Sequence, residues 1–309
     1  MQIIPANTNI PFMKIRWFAY LFSILMIATS VYKWVTMGDE KFGVDFRGGV
    51  EAVVSYENKL DIAALRAKAE EAGIKDAIVQ VFHGVGDRFS IRYKAEANEN
   101  AKGILESNLS FSDNKARVEK LDQVGPVIGE QIRTAAYWAI FWALVGIIAY
   151  LTIRFEFRFA IGAVIALFHD VIITAGACIL TGREINAGIL AALLTIVGYS
   201  VNDTIIIFDR IREHILEALK KSSRATFDLS KIMDLSVNET LSRTIITNMT
   251  VMAVCLILWR LGGGAVEDMA FALFVGGIVG TYSTIFIASP IVLALEHFGN
   301  GRLSRKVDK

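Results

Sequence analysis

The chain has 309 residues, 54% of them hydrophobic and 20% charged, and its mean hydropathy of +0.47 is high for a soluble protein. A net charge of +1 says little, because in a membrane protein the placement of charge matters more than its sum. Both cysteines, Cys178 and Cys255, fall in apolar runs, so no disulfide framework underlies the fold, and there is no low-complexity or Pro/Ser-rich linker.

The first apolar run covers residues 17–35. Lys14 and Arg16, a mostly apolar stretch and then Ala28-Thr29-Ser30 also resemble a signal peptide with a small-residue cleavage site. Apart from Lys33, however, the apolar stretch carries on past that site to Val35, which favours a membrane-spanning helix.

Residues 38–131 read as one small soluble domain. Residues 51–56 are strand-like, and 62–72 show helical apolar spacing with alanines and paired charges. Short strand-like runs at 77–82 and 89–93 flank the turn cluster His83-Gly84-Val85-Gly86-Asp87. A second helix is expected at 101–109, and 116–121 alternates as a last strand. The order βαββαβ matches the ferredoxin-like split pattern. The segment has no cysteine, its one histidine (His83) sits beside a turn where solvation accounts for it, and no nucleophile–base grouping appears. Neither a metal nor a cofactor is expected there. Two glycine motifs flank the domain: FGVDFRGG at 42–49, with Asp45, Arg47, Gly48 and Gly49, and VGPVIG at 124–129, with Gly125 and Pro126. Glycine pairs suit tight backbone positions; no helix with a following Lys-Ser/Thr succeeds them, so a phosphate-cradling loop is not expected.

Five further apolar runs cover 135–153, 159–180, 185–208, 244–259 and 269–295. At ~1.5 Å per residue these suffice for a bilayer core of ~30 Å, except the fifth, which is short unless its helix continues back through Arg243. Basic residues cluster before the first run (Lys14, Arg16), after the second (Arg154, Arg158), after the fourth (Arg210, Arg212, Lys220, Lys221, Arg224, Lys231) and in the tail (Arg302, Arg305, Lys306, Lys309). The opposite short loops carry only Arg183 and Arg260. Strict alternation therefore predicts cytoplasmic termini. The expected organisation is a cytoplasmic N-terminus and first span over 1–37, an extracytoplasmic domain over 38–131, and spans two to six over 132–298. A cytoplasmic loop falls near 210–242 and a cytoplasmic tail at 299–309. The fold class is a polytopic α-helical membrane protein with six transmembrane helices and one small α+β domain between the first two.

Asp203 is the only charge in the run 185–208. An aspartate at hydrocarbon depth costs on the order of 2.5–3.5 kcal/mol on insertion scales, so a functional role is the default reading. Tyr199 and Ser200 lie one turn before it, which places its polar neighbours on the preceding turn. His169 and Asp170 sit together near the middle of the third run and, being adjacent, are expected to face different sides; without a third ligand they give little support for a metal. Thr244, Thr247, Asn248 and Thr250 line the fifth run, with Arg243 at its cytoplasmic edge. Runs four and five are antiparallel, so Asp203 and Arg243 can lie at similar depth, although an interface anchor or an (i, i+4) pair with Glu239 also accounts for Arg243. Gly276 and Gly280, with Gly277 adjacent, form a small-xxx-small pair that predicts a close helix contact.

Together these stretches resemble the SecF family, the smaller six-span partners of SecD in bacterial Sec protein export. The resemblance rests on FGVDFRGG, VGPVIG, ALFHD at 166–170, NETLSRT at 238–244 and the glycine-rich last span. Its most specific part is GYSVNDTIIIFDRIRE at 198–213, which contains Gly198, Tyr199 and Asn202. It covers nearly the whole chain, and the loop around 224–235 is several residues longer than the family pattern. It implies one half of an arrangement similar to the resistance-nodulation-division transporters, with a SecD-like subunit supplying the second six-helix bundle in the bacterial inner membrane. It also implies protons as the coupling ion, and preproteins drawn from the Sec translocon channel rather than any enzymatic reaction. By motif, Asp203 matches the proton-linked aspartate, Arg243 its basic partner, and Asp170 a further motif position. Two other classes of function stay open: half of a proton-driven small-molecule exporter, which a single small outer domain argues against, and an intramembrane hydrolase, for which His169 lacks a partner serine or paired carboxylate.

Overall fold

The computed structural model describes residues 8–74, 77–81, 87–94, 100–221, 228–262 and 264–298. The turn expected around His83, part of the loop near 210–242 and the basic tail lie outside the described residues.

Among the described residues, six helical spans are long and apolar enough to cross a membrane. They are α1 (Phe12–Thr36), α5 (Pro126–Arg154), α6 (Phe157–Leu180), α7 (Ala187–Lys221), α8 (Leu229–Leu261) and a last span in three parts. That last span runs through α9 (Gly264–Ser283), a π-helical turn (Thr284–Ala288) and α10 (Ser289–Phe298). The fifth run is thus not short. It is the apolar half of a helix that starts at Leu229, where the Asp228 side chain accepts from the Ser230 amide at 3.1 Å and so caps it. The same polar half of α8 holds the start of α1. Asp234 accepts from the Met13 amide at 2.8 Å, and Asn238 both accepts from the Ile10 amide (3.0 Å) and donates to its carbonyl (2.9 Å). The Met13 contact satisfies an amide that the helix start leaves without a partner, and Asn238 pins the residue that leads into it.

Between α1 and α5 lies the α+β unit. A short helix α2 (Val44–Arg47) precedes β1 (Gly49–Tyr56), α3 (Ile62–Glu71), β2 (Ile78–Val81), β3 (Asp87–Tyr93), α4 (Ala101–Leu109) and β4 (Arg117–Val124). The sheet order is β2-β3-β1-β4 with every pairing antiparallel, the arrangement of a ferredoxin-like fold. Alternate residues of β1 and β3, such as Ala52, Val54, Phe89 and Ile91, bury against Leu65 of α3 and Leu105 and Leu109 of α4.

The two glycine motifs form the joint between this unit and the membrane helices. Gly48 has φ +74°, and a Cβ there would stand 2.8 Å from Pro126 Cα; a Cβ on Gly129 would stand 2.8 Å from Gly48 N. The start of α5 therefore packs directly on the backbone of the first motif. Gly125 is the N-cap of α5 and Pro126 takes the first helical position, where a missing amide costs nothing. Gly43 donates to the Ile185 carbonyl at 2.9 Å, Ile185 donates to the Lys41 carbonyl at 2.7 Å, and Asp45 accepts from the Ala187 amide at 2.8 Å at the start of α7. Within the bundle α6 and α7 are central, whereas α1 and α5 are exposed along most of their apolar lengths.

Candidate functional site

Asp203 of α7 is 5% exposed. Its Oδ2 accepts from Asn248 Nδ2 of α8 at 2.6 Å, and the same amide donates to Thr281 Oγ1 of α9 at 2.8 Å. Three helices thus meet at one carboxylate. A cavity of about 20 Å³ adjoins it, lined among others by Tyr199, Ser200, Asp203, Asn248, Gly276 and Gly280. That volume holds about one water molecule. The glycines create this closeness, since a Cβ on Gly276 would stand 2.1 Å from Ile196 Cδ1 and one on Gly280 3.4 Å from Ser200 Cβ.

Arg243 lies in reach of Asp203 but not in contact with it. It acts on the carboxylate through space, is itself exposed, and makes no ion pair within 4.0 Å among the described residues. The reason is helical geometry: Arg243 and Asn248 are five residues apart on α8, so they point to different sides of that helix. The helix face toward α7 presents Asn248, Thr244 and Thr240, all buried.

Asp170 of α6 is wholly buried. Its Oδ2 accepts from Ser200 Oγ (2.6 Å) on α7 and Ser283 Oγ (2.8 Å) on α9, and its Oδ1 lies 3.0 Å from His169 Nδ1. The expectation that His169 and Asp170 face different sides is therefore corrected. Adjacent positions start about 100° apart on a helix, but the imidazole folds back far enough to meet its neighbour. His169 Nε2 continues to Ser23 Oγ of α1 at 3.1 Å. Ser200, placed by spacing among the neighbours of Asp203, spends its hydroxyl on Asp170 instead. Tyr199 is half-exposed at the cavity rim, Asn202 is exposed and points elsewhere, and Gly198 has open space where a Cβ would be. Among the described residues no group of three His, Cys, Asp or Glu side chains is arranged to hold a metal.

A second charged cluster, not evident from sequence, lies where the sheet meets the α6–α7 loop and the start of α9. Arg92 of β3 pairs with Glu51 (2.8 Å), Glu184 (3.6 Å) and Asp268 (3.9 Å); Arg47 pairs with Glu184 (3.9 Å), and Arg183 with Asp268 (3.1 Å). Burial pushes the Glu184 carboxyl above its ordinary range, against the pull of Arg92 and Arg47. These residues are far apart in the chain and individually ordinary, so no local signal marks them. Only the docking of β3 onto the α6–α7 loop brings them together.

Residues 104–297 match the family model described as protein export membrane protein SecD/SecF, C-terminal. The chain is 38% identical over 293 residues to protein translocase subunit SecF of Thermodesulfovibrio yellowstonii, covering 94% of this chain and 95% of that one. It is 37% identical to the SecF subunit of Rickettsia rickettsii, covering 99% and 97%, and 39% identical to that of Rhodothermus marinus, covering 94% of each. Among solved structures it is similar to SecDF of Thermus thermophilus, a translocon-associated membrane protein, with a TM-score of 0.82 and 33% identity. That match covers 94% of this chain and 39% of the longer one.

Proposed function

The chain belongs to the SecF family of protein translocase subunits, and from that premise we propose that it couples inward proton flow at Asp203 to the export of preproteins. It does so beside a SecD-like subunit that supplies a second six-helix bundle. Both termini are cytoplasmic, the α+β unit lies on the outer side, and the membrane is the bacterial inner membrane.

The observation that carries this reading is a lone carboxylate, 5% exposed within a span, held by an amide and adjoining space for one water. Ionisable groups kept at that depth mark ion pathways. The Arg243 guanidinium acts on the same carboxylate through space, so movement of α8 against α7 would change which protonation state is favoured. A gradient of ~180 mV is worth roughly 4 kcal/mol per charge. That is comparable with shifting a carboxyl's proton affinity by ~3 pK units at about 1.36 kcal/mol each, so one proton can drive one switch. The exposed apolar lengths of α1 and α5 support a partner bundle against this one. Asp170, deeper in the same bundle and bridged to the cavity by Ser200, takes part in the coupling.

The test is export of a preprotein into inverted membrane vesicles with and without a proton gradient. Asp203→Asn and Arg243→Met are expected to insert normally yet lose the gradient-dependent part of export. Full gradient dependence in either variant would overturn the reading.

A further inference from the structure

The hydrogen bonds that run from Asp170 to α1 fix how many protons they hold. Tyr282 OH of α9 lies 2.8 Å from the Ala19 carbonyl, which can only accept, so the phenolic hydrogen points there. The Tyr282 oxygen then accepts from Ser23 Oγ, 3.0 Å away, which uses the one hydrogen of Ser23. Ser23 can in turn only accept from His169 Nε2 at 3.1 Å, so Nε2 carries a hydrogen. At the other ring nitrogen, the 3.0 Å contact between Nδ1 and Asp170 Oδ1 needs one hydrogen more. On nitrogen it gives an imidazolium beside a carboxylate; on oxygen, a neutral imidazole beside a carboxylic acid. Both descriptions contain the same number of protons and carry no net charge, which suits a pair 4% and 0% exposed. Asp170 Oδ2 accepts from Ser200 Oγ at 2.6 Å and from Ser283 Oγ at 2.8 Å, the shorter of that hydroxyl's two contacts, the other being the Gly280 carbonyl at 3.1 Å. A proton on Oδ2 besides those on the imidazole would leave a net charge buried here, so Oδ2 carries none.

We propose that His169 and Asp170 form a second proton-binding site, loaded in this arrangement, whose unloading releases Tyr282 from the Ala19 carbonyl of α1. The proposal rests on the reading that protons move through this bundle. When the pair gives up one proton, the remaining hydrogen sits on Nδ1 and donates to the carboxylate, and Nε2 becomes an acceptor. Ser23 then turns its hydrogen to Nε2, Tyr282 turns its own to Ser23, and Ala19 loses its donor. The proton leaves on the side of Ser200, which touches Asp170 and lines the cavity shared with Asp203. The titratable group adjoining the pair is Tyr282 on α9, stacked on His169; Asp203 on α7 faces the cavity that Ser200 also lines, with Arg243 on α8 acting on Asp203 through space. Proton occupancy in the core is thereby tied to how α1 sits against α9.

Nitrogen NMR of the full chain with its partner subunit in lipid vesicles, labelled at histidine, tests this. The chain has four histidines, and His169→Gln identifies the signal concerned. Wild type is expected to show hydrogen on Nε2. Tyr282→Phe removes the contact to Ala19 and frees Ser23 to donate to Nε2, so the ratio of loaded to unloaded pair should fall about tenfold. If the tyrosine variant misfolds, the Nε2 signal of wild type decides alone. A bare Nε2 in wild type, or an unchanged His169 signal in a folded Tyr282→Phe, overturns the proposal. Asp203→Asn is expected to leave Nε2 protonated while abolishing gradient-dependent export. Its export result therefore judges the role of Asp203, and the His169 signal judges the second site.

Discussion

Asn248, rather than Arg243, holds the Asp203 carboxylate: its amide nitrogen donates to Oδ2 at 2.6 Å while also reaching Thr281 on α9. The carboxylate is thereby tied to α8 and α9 at once, and the arginine is left free to approach or withdraw without breaking that bond. The amide positions the carboxylate, whereas the guanidinium sets its electrostatic surroundings.

Asn248→Leu keeps the size of the side chain and removes the donor. A hydrogen bond to a charged group is worth about 1.5–3 kcal/mol, so the gradient-dependent rate of export should fall about tenfold or more. The amount of inserted protein, read by immunoblot of washed membranes, should stay close to wild type. A rate within a factor of two of wild type would mean that Asn248 has no part in positioning Asp203.

Two glycines are closed to a side chain for different reasons. A Cβ at Gly276 meets Cδ1 and Cγ1 of the buried, β-branched Ile196 at 2.1 and 2.6 Å; a Cβ at Gly129 meets the backbone of Gly48. Gly129→Ala and Gly276→Ala should each cost about 1–3 kcal/mol, the range for overpacking. Combining Gly276→Ala with Ile196→Val, which removes Cδ1, should recover part of its loss, whereas no side-chain change relieves Gly129→Ala. Thermal unfolding in detergent, compared across the four proteins, checks both.

Several of these features were open to the sequence and others were not, for physical reasons. Spans show because ~20 apolar residues are needed to cross hydrocarbon, and the strands of the α+β unit show because alternation matches the pleat. The run at 244–259 stops short of the real helix because α8 extends beyond its apolar stretch, where Asp234 and Asn238 serve the start of α1 instead of lipid. Asp203 announces itself by its cost. Asn248 does not, since an asparagine among threonines marks no partner until α7 and α8 are docked. The bond between His169 and Asp170 and the cluster of Arg92, Glu184 and Asp268 depend in the same way on side-chain course and tertiary contact. The π-helical turn at Thr284–Ala288 does carry a mark in the sequence, Pro290 just after it, whose missing amide and ring interrupt the regular ladder; residue type alone leaves the kind of interruption open.

Glu184 ties stability to pH. Its oxygens are buried, accept no hydrogen bond, and face Arg92 and Arg47 only at 3.6 and 3.9 Å, so burial raises its proton affinity. A carboxyl with a raised value in the folded state contributes stability that is present below its ordinary range and lost as pH rises through the raised value. Glu184→Gln should therefore match wild type at acidic pH and exceed it in thermal stability at neutral pH. Because Arg92 keeps Glu51 and Asp268, the glutamine leaves no bare cation on that strand. A glutamine variant that melts below wild type at neutral pH would show that the ion pairs outweigh the burial.

The last prediction separates a proton-carrying role of Asp203 and Arg243 from a merely structural one. If the two only balance charge, Arg243→Met leaves the buried Asp203 carboxylate without its counterpart, and losses of that kind run to about 3–5 kcal/mol. Asp203→Asn with Arg243→Met would then assemble better than Arg243→Met alone and recover activity with assembly. If Asp203 is the titrating group, the double variant has nothing left to protonate. It should assemble well and still export at the rate seen without a gradient. The distance between the two side chains sharpens the contrast: with no direct ion pair between them, Arg243→Met alone should perturb assembly only slightly, yet remove the charge that biases the carboxylate. Measuring export per assembled complex, with the gradient imposed and then collapsed, distinguishes the cases. Gradient-dependent export by the double variant would remove Asp203 from the proton path.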